Sequence, residues 1–465
     1  MTPHADSTTD ERPALPLGML SALALCVIPQ ALSSSALAVA MPAIREEFSA
    51  GPAVAWVISS TYLATGVGAI ISGRLGDLFG HRRVLLVGLA LASVATFGAM
   101  WAPGLGWLIG ARVVIGLGTS APLPTAMALL RRETQRRGIS PASAGLGVIA
   151  VTMQLSITVG PTIGGLLLSW DGWRSIFAVT LPLLAAASVA VFTLVPAEQA
   201  TAQRTGAWQK LDLPGMLIVA CTITMAMILV LHAPALPWLV WAGALGQVAL
   251  LVWWTRRAEV PFLRPALIAD PVLSLTFVRN AAFYAAYYLI FYGIPLWLAA
   301  RAVSAVHIGL VMLPLAAMTA LTAAIAARAV RRRGPEHVVR VGSTALLLTG
   351  LAICVVVAKP DIDVAALVVL AGLCGIPAGC LSIGHQAHTS DAAPSEDAGA
   401  AAGLLRSAQY VGAVTAAACL PLLGLDAGGD AAATGLGWVV AGVGLVLMAL
   451  RPRRQRHHTV EAVSR

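Results

Sequence analysis

A few charged residues hold most of the chemistry this sequence offers. Arg112 stands within LIGARVVIGLGTSA, a run otherwise free of charge. A guanidinium is costly in an apolar setting, so one retained there is a functional candidate. Buried in a helical bundle, it would bind a partner or take part in proton movement; near a helix end it would snorkel to water. Asp77, Arg82 and Arg83 fall together in GRLGDLFGHRR, residues 73–83. An acid at one helix end can pair with bases across a short turn, and Gly80 permits such a turn. Arg406 is a second cation inside an apolar run, and the sequence reading has it snorkel toward the cytoplasmic side. Asp212 fits a helix N-terminus, where an acid is favoured. No Asp or Glu falls at the middle of an apolar run.

Soluble-enzyme chemistry has no signature here. There is no GxxxxGK[ST] phosphate loop and no GxSxG elbow, so neither a built-in ATPase nor an esterase-type nucleophile is indicated. The nine histidines form no metal-ligand pattern; the pair His385 and His388 reads as part of a loop with Asp391 and Glu396. The six cysteines lie in apolar stretches without a CxxC pair and read as small buried side chains. No cofactor or metal is expected.

The elements that carry these residues are membrane helices. Of 465 residues, 58% are hydrophobic and only 11% charged, with a mean hydropathy of +0.83. An ordinary soluble domain carries roughly 25% charged residues. A bilayer core needs about 20 apolar residues per helix. Stretches of that length recur at 16–41, 53–72, 84–102, 107–128, 143–168, 175–195, 213–231, 238–255, 280–300, 306–328, 339–357, 364–384, 399–423 and 433–450. WAPGLG at 101–106, HAPALP at 232–237 and DAGGD at 426–430 separate neighbouring spans. The first apolar run is too long for the core of a signal peptide and reads as an uncleaved span. The runs are continuous rather than alternating, which excludes a β-barrel.

Charge gives the orientation. With fourteen spans and the N-terminus inside, 24 of the 30 Lys and Arg residues fall on cytoplasmic segments. Only Arg45, Arg174, Arg301 and Lys359 lie outside, and Arg112 and Arg406 lie within spans. This is the positive-inside pattern, and it places both termini in the cytoplasm of a cell whose inner membrane holds the chain. The basic tail RPRRQRHH reads as an anchor to anionic lipid, so lipid rather than nucleic acid is the expected macromolecular surroundings.

Polar and aromatic residues within the spans mark a candidate substrate cavity: Gln30, Tyr62, Gln154, Tyr284, Tyr288 and Tyr292, with Trp56, Tyr287, Gln409 and Tyr410 nearby in type. Tyr284, Tyr288 and Tyr292 are spaced i, i+4, i+8 and share one helix face. Such a stripe packs as core or walls a cavity, and as a wall it suits bulky apolar or cationic molecules. Gly116 and Gly118, and Gly160, Gly164 and Gly165 around Pro161 in TVGPTIGG, permit close helix contact and a kink.

GRLGDLFGHRR resembles the loop signature of the major facilitator superfamily, through Gly73, Leu75, Asp77, Gly80, His81, Arg82 and Arg83. The resemblance continues in order. LIGARVVIGLGTSA is similar to the Arg-x-x-Gln-Gly motif, with Ile115 in place of Gln. VGPTIGG is similar to the antiporter motif. MPAIREEF, SWDGWRSIFAVTLP, LDLPG and EDAGAAAGLLRSAQYVGA resemble further family segments. The set is similar to the fourteen-helix drug:proton antiporter branch, the multidrug- and antiseptic-resistance exporters.

That resemblance implies an all-α polytopic membrane protein with two six-helix bundles and two additional helices between them. The division would be a tail at 1–15, a bundle at 16–200, two linking helices at 201–260, a second bundle at 261–450 and a basic tail at 451–465. It implies a charge-relay role for Asp77, Arg82 and Arg83, and alternating access driven by protons as the coupling ion, in a functional monomer exporting small molecules. One departure is pointed: Ser33 stands where the branch usually carries an acid, so neutral or anionic substrates gain and Arg112 becomes the main charged candidate. Uptake or exchange of a metabolite, or a transport-inactive sensor or scaffold, are the competing readings.

Overall fold

A computed structural model describes residues 16–50, 53–54, 56–137, 146–197, 212–232, 237–258, 261, 265–357, 364–394, 398–425 and 428–450. Its described residues are almost wholly helical. The expected tails at 1–15 and 451–465 lie outside them.

The helices are α1 (Leu17–Glu47), α2 (Trp56–Phe79), α3 (His81–Met100), α4 (Leu105–Thr119), α5 (Pro122–Arg137), α6 (Leu146–Asp171), α7 (Arg174–Leu194), α8 (Leu213–His232) and α9 (Trp238–Arg257). They continue as α10 (Pro265–Ala269), α11 (Pro271–Ala300), α12 (Ala305–Arg333), α13 (Pro335–Val357), α14 (Val364–Ala392), α15 (Ala398–Leu423) and α16 (Asp430–Ala449). Among the described residues, 11 helices are long and apolar enough to cross a membrane. In lipid every backbone group must be satisfied within the segment, which is why these apolar runs become helices.

Three elements differ from the sequence reading. The expected fourth span is broken: α4 stops at Thr119 and α5 restarts at Pro122, whose ring cannot continue the preceding hydrogen-bond ladder but suits a helix start. α11 begins at Pro271 rather than near 280, because the Asp270 side chain caps the N–H groups of Val272 and Leu273, at 2.8 and 2.9 Å, ahead of Pro271 at the first position. α14 runs on to Ala392, so His385 and His388 are helical and not in a loop.

Packing follows small residues. α1 lies against α6, where a Cβ at Gly164 would stand 2.5 Å from the Ala36 carbonyl oxygen and 2.7 Å from its Cα. α4 is held between α2 and α3: a Cβ at Gly116 would meet the Thr61 carbonyl at 2.6 Å, and one at Gly118 the Gly88 carbonyl at 2.6 Å. The same device joins the two ends of the chain. α2 packs on α15, with Ser407 Oγ donating to the Gly66 carbonyl at 2.7 Å, and α6 packs on α12, where Gly309 faces Thr162. α8 and α9 pair with each other, and α8 also touches α2 and α15. α9 buries none of its side chains; Trp238, Leu239, Leu245 and Trp253 all face outward. Val87, Val94 and Phe97 make a similar outward stripe on α3. Apolar side chains on an outer face are what a lipid-contacting surface requires.

At one end, α1 and α7 are tied by charge. Arg174 donates from Nη1 and Nη2 to the two Glu47 carboxylate oxygens at 3.0 and 2.7 Å, and the Trp173 indole N–H adds a third donor at 2.6 Å. The Arg174 side-chain bond, with that of Trp173, holds the Glu47 carboxyl below its usual range. A lowered folded-state value contributes stability above the unfolded value of about 4.3, lost as pH falls through the depressed one. Both side chains are 39% exposed, so the pair is worth at most about 1 kcal/mol.

Two outcomes follow for the purified protein in detergent. Gly164→Val should lower the melting temperature, by overpacking worth about 1–3 kcal/mol, while Gly110→Val, with nothing within 4 Å, should not. Glu47→Gln should lower it by a smaller amount at neutral pH, and a melting series should show that difference closing as pH falls below the unfolded value of about 4.3 and through the depressed one.

Candidate functional site

The interior polar groups gather where α1, α2, α11 and α15 converge. Gln30, midway along α1, donates from Nε2 to Thr65 Oγ1 at 3.1 Å and to Tyr410 Oη at 3.2 Å. It therefore spans α1, α2 and α15 with one amide. Tyr62 of α2 shares a 2.5 Å hydrogen bond with Tyr292 of α11. Its ring stacks on Tyr410 at 5.5 Å between centroids and approaches Tyr288 at 5.8 Å, while Tyr288 stacks on Tyr292 at 5.7 Å. Aromatic pairs prefer these offset and tilted arrangements, which hold the rings as rigid plates.

These side chains wall a cavity of about 540 Å³, counted with its open mouth. Gln30, Tyr62, Tyr288, Phe291, Arg406, Gln409 and Tyr410 provide its polar and aromatic lining; Val27, Leu123, Met153 and Ile157 add apolar surface. A smaller cavity of about 230 Å³ adjoins it through the shared residues Gln30 and Ser34, and is lined by Ser33, Thr96, Arg112, Ile115, Thr119 and Thr180 among others.

Arg112 is 1% exposed, so it is interior and does not snorkel. Its Nε donates to the Val57 carbonyl at 3.1 Å, while Nη1 and Nη2 are buried with no partner. Ile115, where the resemblance leads one to expect Gln, lines the same cavity and offers no acceptor. Arg406 overturns its sequence reading: it does not reach for the cytoplasmic side but lies on the wall of the larger cavity. Its Nη1 donates to Gln409 Oε1 at 2.6 Å, Nη2 touches Met153 Sδ at 3.6 Å, and the guanidinium lies 5.0 Å from the Tyr410 ring centroid.

The other expected cavity residues sort as follows. Gln30, Tyr62 and Tyr288 line the larger cavity, and Ser33 the smaller one. Tyr292 lies behind Tyr62 and Tyr288. Tyr284 turns to Phe283, 4.7 Å between centroids, and is not on the lining. The side chain of Gln154 lies outside the described residues.

The motif residues are structural in their contacts. Gly80 forms the single-residue turn between α2 and α3 at φ 96°, a conformation that L side chains rarely adopt. Arg82 donates to the Phe192 carbonyl at 2.5 Å and lies over its ring, thereby binding the C-terminal turn of α7. Arg83 is exposed, and the Asp77 side chain lies outside the described residues. Gly73 is buried in α2, and Pro161 is buried within α6 beside Gly160, whose missing Cβ makes room for Ser35. Gly165 is half-buried.

Sequence reasoning missed a second buried charge. Arg279, assigned above to a cytoplasmic segment, is 2% exposed inside α11. It donates to Glu336 at the start of α13 at 3.0 Å and also to the Leu450 carbonyl; His388 of α14 reaches the same carboxylate at 3.2 Å. Asn280 beside it meets the buried His385 ring at 3.2 Å and donates to the Leu405 carbonyl at 2.9 Å. The cluster ties α11, α13, α14 and α15, with the end of α16, at one end of the molecule. The signal was present in the sequence as Asp270-Pro271, a helix start that puts Arg279 two turns inside.

The sequence profile of the Major Facilitator Superfamily matches residues 23–417, and again 276–464. The chain belongs to the major facilitator superfamily. Relatives of this facilitator include an MFS-type transporter of Bacillus subtilis (strain 168), YwoD, 29% identical over 93% of this chain and 96% of its own length. The tetracenomycin C resistance and export protein of Streptomyces glaucescens is 30% identical over 89% of this chain and 77% of its own. The multidrug resistance protein Stp of Mycobacterium tuberculosis (strain CDC 1551 / Oshkosh) is 28% identical over 82% and 71%. This facilitator is thus a multi-span membrane transporter of the bacterial drug-efflux kind, and not an enzyme. Arg112, Gly116, Gly160 and Pro161 all fall within the first matched stretch.

Proposed function

We propose that this facilitator exports bulky, largely apolar aromatic molecules by alternating access, powered by the proton motive force with protons as the antiported ion. The observation that carries the reading is the cavity walled from both ends of the chain, by Tyr62 and Gln30 on α1–α2 and by Tyr288, Phe291 and Tyr410 on α11 and α15. A site formed at the junction of two bodies is remade when they rock, which is what alternating access needs. The names of the relatives, export and multidrug resistance, support the outward direction.

The finer architecture belongs to the same proposal. Fourteen transmembrane helices divide as six, two and six: α1–α7 with α4 and α5 as one broken span, then α8 and α9, then α11–α16. Residues 16–200, 201–260 and 261–450 are the corresponding segments, and the basic residues of the α2–α3 turn and the chain ends set both termini in the cytoplasm. The chain works as a monomer, because each copy contains its own complete cavity. Arg112, with two unpartnered nitrogens facing the smaller cavity, serves coupling between that cavity and the substrate site. Asp77, Arg82 and Arg83 govern the conformational step at the α2–α3 turn.

Everted vesicles from an overexpressing host should accumulate members of a diverse antibiotic and dye panel, and an uncoupler should abolish that accumulation. No responsive compound, and no binding from a broad panel, would remove the export reading. Flux in the opposite sense, measured in proteoliposomes with an imposed pH gradient, would replace it by uptake. In the same vesicles Arg112→Ala should reduce coupled flux to background, with folding checked by thermal melting. Unchanged flux would take Arg112 out of the mechanism and leave export standing.

A further inference from the structure

The two cavities are lined by two guanidinium groups, Arg112 and Arg406, and among the described lining residues by no Asp, Glu or His. A cation held in a lipid-embedded interior normally finds a carboxylate. Ion pairs elsewhere among the described residues include Glu47 with Arg174, Glu336 with Arg279 and His388, and Asp430 with Arg301. Among the described residues the cavity wall therefore offers no carboxylate partner.

Arg406 is the group placed to receive one. A guanidinium carries five N–H donors in a planar fork. The Gln409 amide oxygen takes one of them at 2.6 Å, the Tyr410 phenol is a second hydrogen-bond partner, and the Met153 sulfur is a weak acceptor at 3.6 Å, which leaves N–H groups of the fork for a ligand. Around this fork the cavity offers further donors: Gln409 Nε2, which reaches Tyr288 Oη at 3.5 Å, and the phenol groups of Tyr62, Tyr288 and Tyr410. The flanking surfaces are flat rings, Tyr62 stacked on Tyr410 with an interplanar angle of 28°. Donors converging beside aromatic plates fit a planar ring system that ends in an acidic oxygen.

We propose that the transported substrates are aromatic acids, planar ring systems bearing an ionised carboxylate or acidic phenol, and that Arg406 is the binding residue that pairs with that anion. The inference rests on the export reading and deepens it. A charge-assisted, forked contact is stronger than a neutral one, and in this cavity it supplies the partner that no lining side chain provides. Cationic dyes of the same shape would meet an uncompensated like charge.

Two xanthene dyes of similar size separate the possibilities: fluorescein, anionic at neutral pH, and rhodamine 123, cationic. Energised everted vesicles containing the full-length wild type should accumulate fluorescein at least tenfold faster than rhodamine 123. Arg406→Gln should lower the fluorescein rate by about tenfold or more without lowering rhodamine 123 uptake, and Arg406→Lys should restore most of the fluorescein rate. Melting curves in detergent establish that each variant is folded. If Arg406→Gln does not fold, the wild-type preference for fluorescein still decides the substrate class. Wild-type uptake of rhodamine 123 but not fluorescein overturns the proposal and leaves export intact, as does a folded Arg406→Gln with unchanged fluorescein flux. A wild type that moves neither dye yet moves other compounds overturns it too. A wild type that moves nothing in the wider panel overturns export itself.

Discussion

A charge cannot be left in hydrocarbon, and the interior of this protein is arranged around that constraint. Arg112, Arg279 and Arg406 all start from helices whose outer faces are apolar, and each is turned inward. The three are satisfied differently. Arg279 has a carboxylate, a backbone carbonyl and imidazole neighbours, and it fastens helices together. Arg112 has one carbonyl, Arg406 has an amide oxygen and the Tyr410 phenol, and both line cavities. Charge paired with a carboxylate makes a fixed joint; charge without one beside a cavity makes a site.

Close helix approach is the second requirement, and glycine supplies it where the bodies of the molecule meet. Gly164 of α6 against α1, Gly118 of α4 against α3 and Gly309 of α12 opposite Thr162 allow backbones to come within the distance of a missing Cβ. In lipid there is little apolar driving force between helices, so packing of this kind and hydrogen bonds must hold them. Between α1–α2 and α11–α15 the polar ties are Ser407 to Gly66, Gln30 to Tyr410 and Tyr62 to Tyr292, set beside stacked aromatic and apolar contacts.

Much of this was legible in the chain. Apolar run length gave the helices, because bilayer thickness fixes it, and ordered motifs gave the family. The aromatic spacing at Tyr284, Tyr288 and Tyr292 put all three on one face, but only the structure showed Tyr288 on the cavity, Tyr292 behind it and Tyr284 turned to Phe283. Periodicity fixes a face, whereas cavity lining depends on which neighbouring helix leaves a gap. Arg406 was misread for the same reason. Distance along a helix from its end says how far a side chain must reach for water, not whether a cavity already comes to it. Arg279 was misplaced because hydropathy marks where a helix leaves lipid and not where it begins; the Asp270 cap lies well before that point.

The lining without a carboxylate also has an electrical meaning. A cargo that neutralises a fixed guanidinium brings the occupied cavity close to zero net charge, and its departure leaves a positive wall behind. Carrying each negative charge outward across an interior-negative membrane is downhill by roughly 2.3 kcal/mol per 100 mV. A proton moving inward adds a term of the same sign. For such a cargo the voltage of the cell, more than its acidity gradient, would do the concentrating, and it would act on the empty transporter, whose unpaired positive charge returns inward.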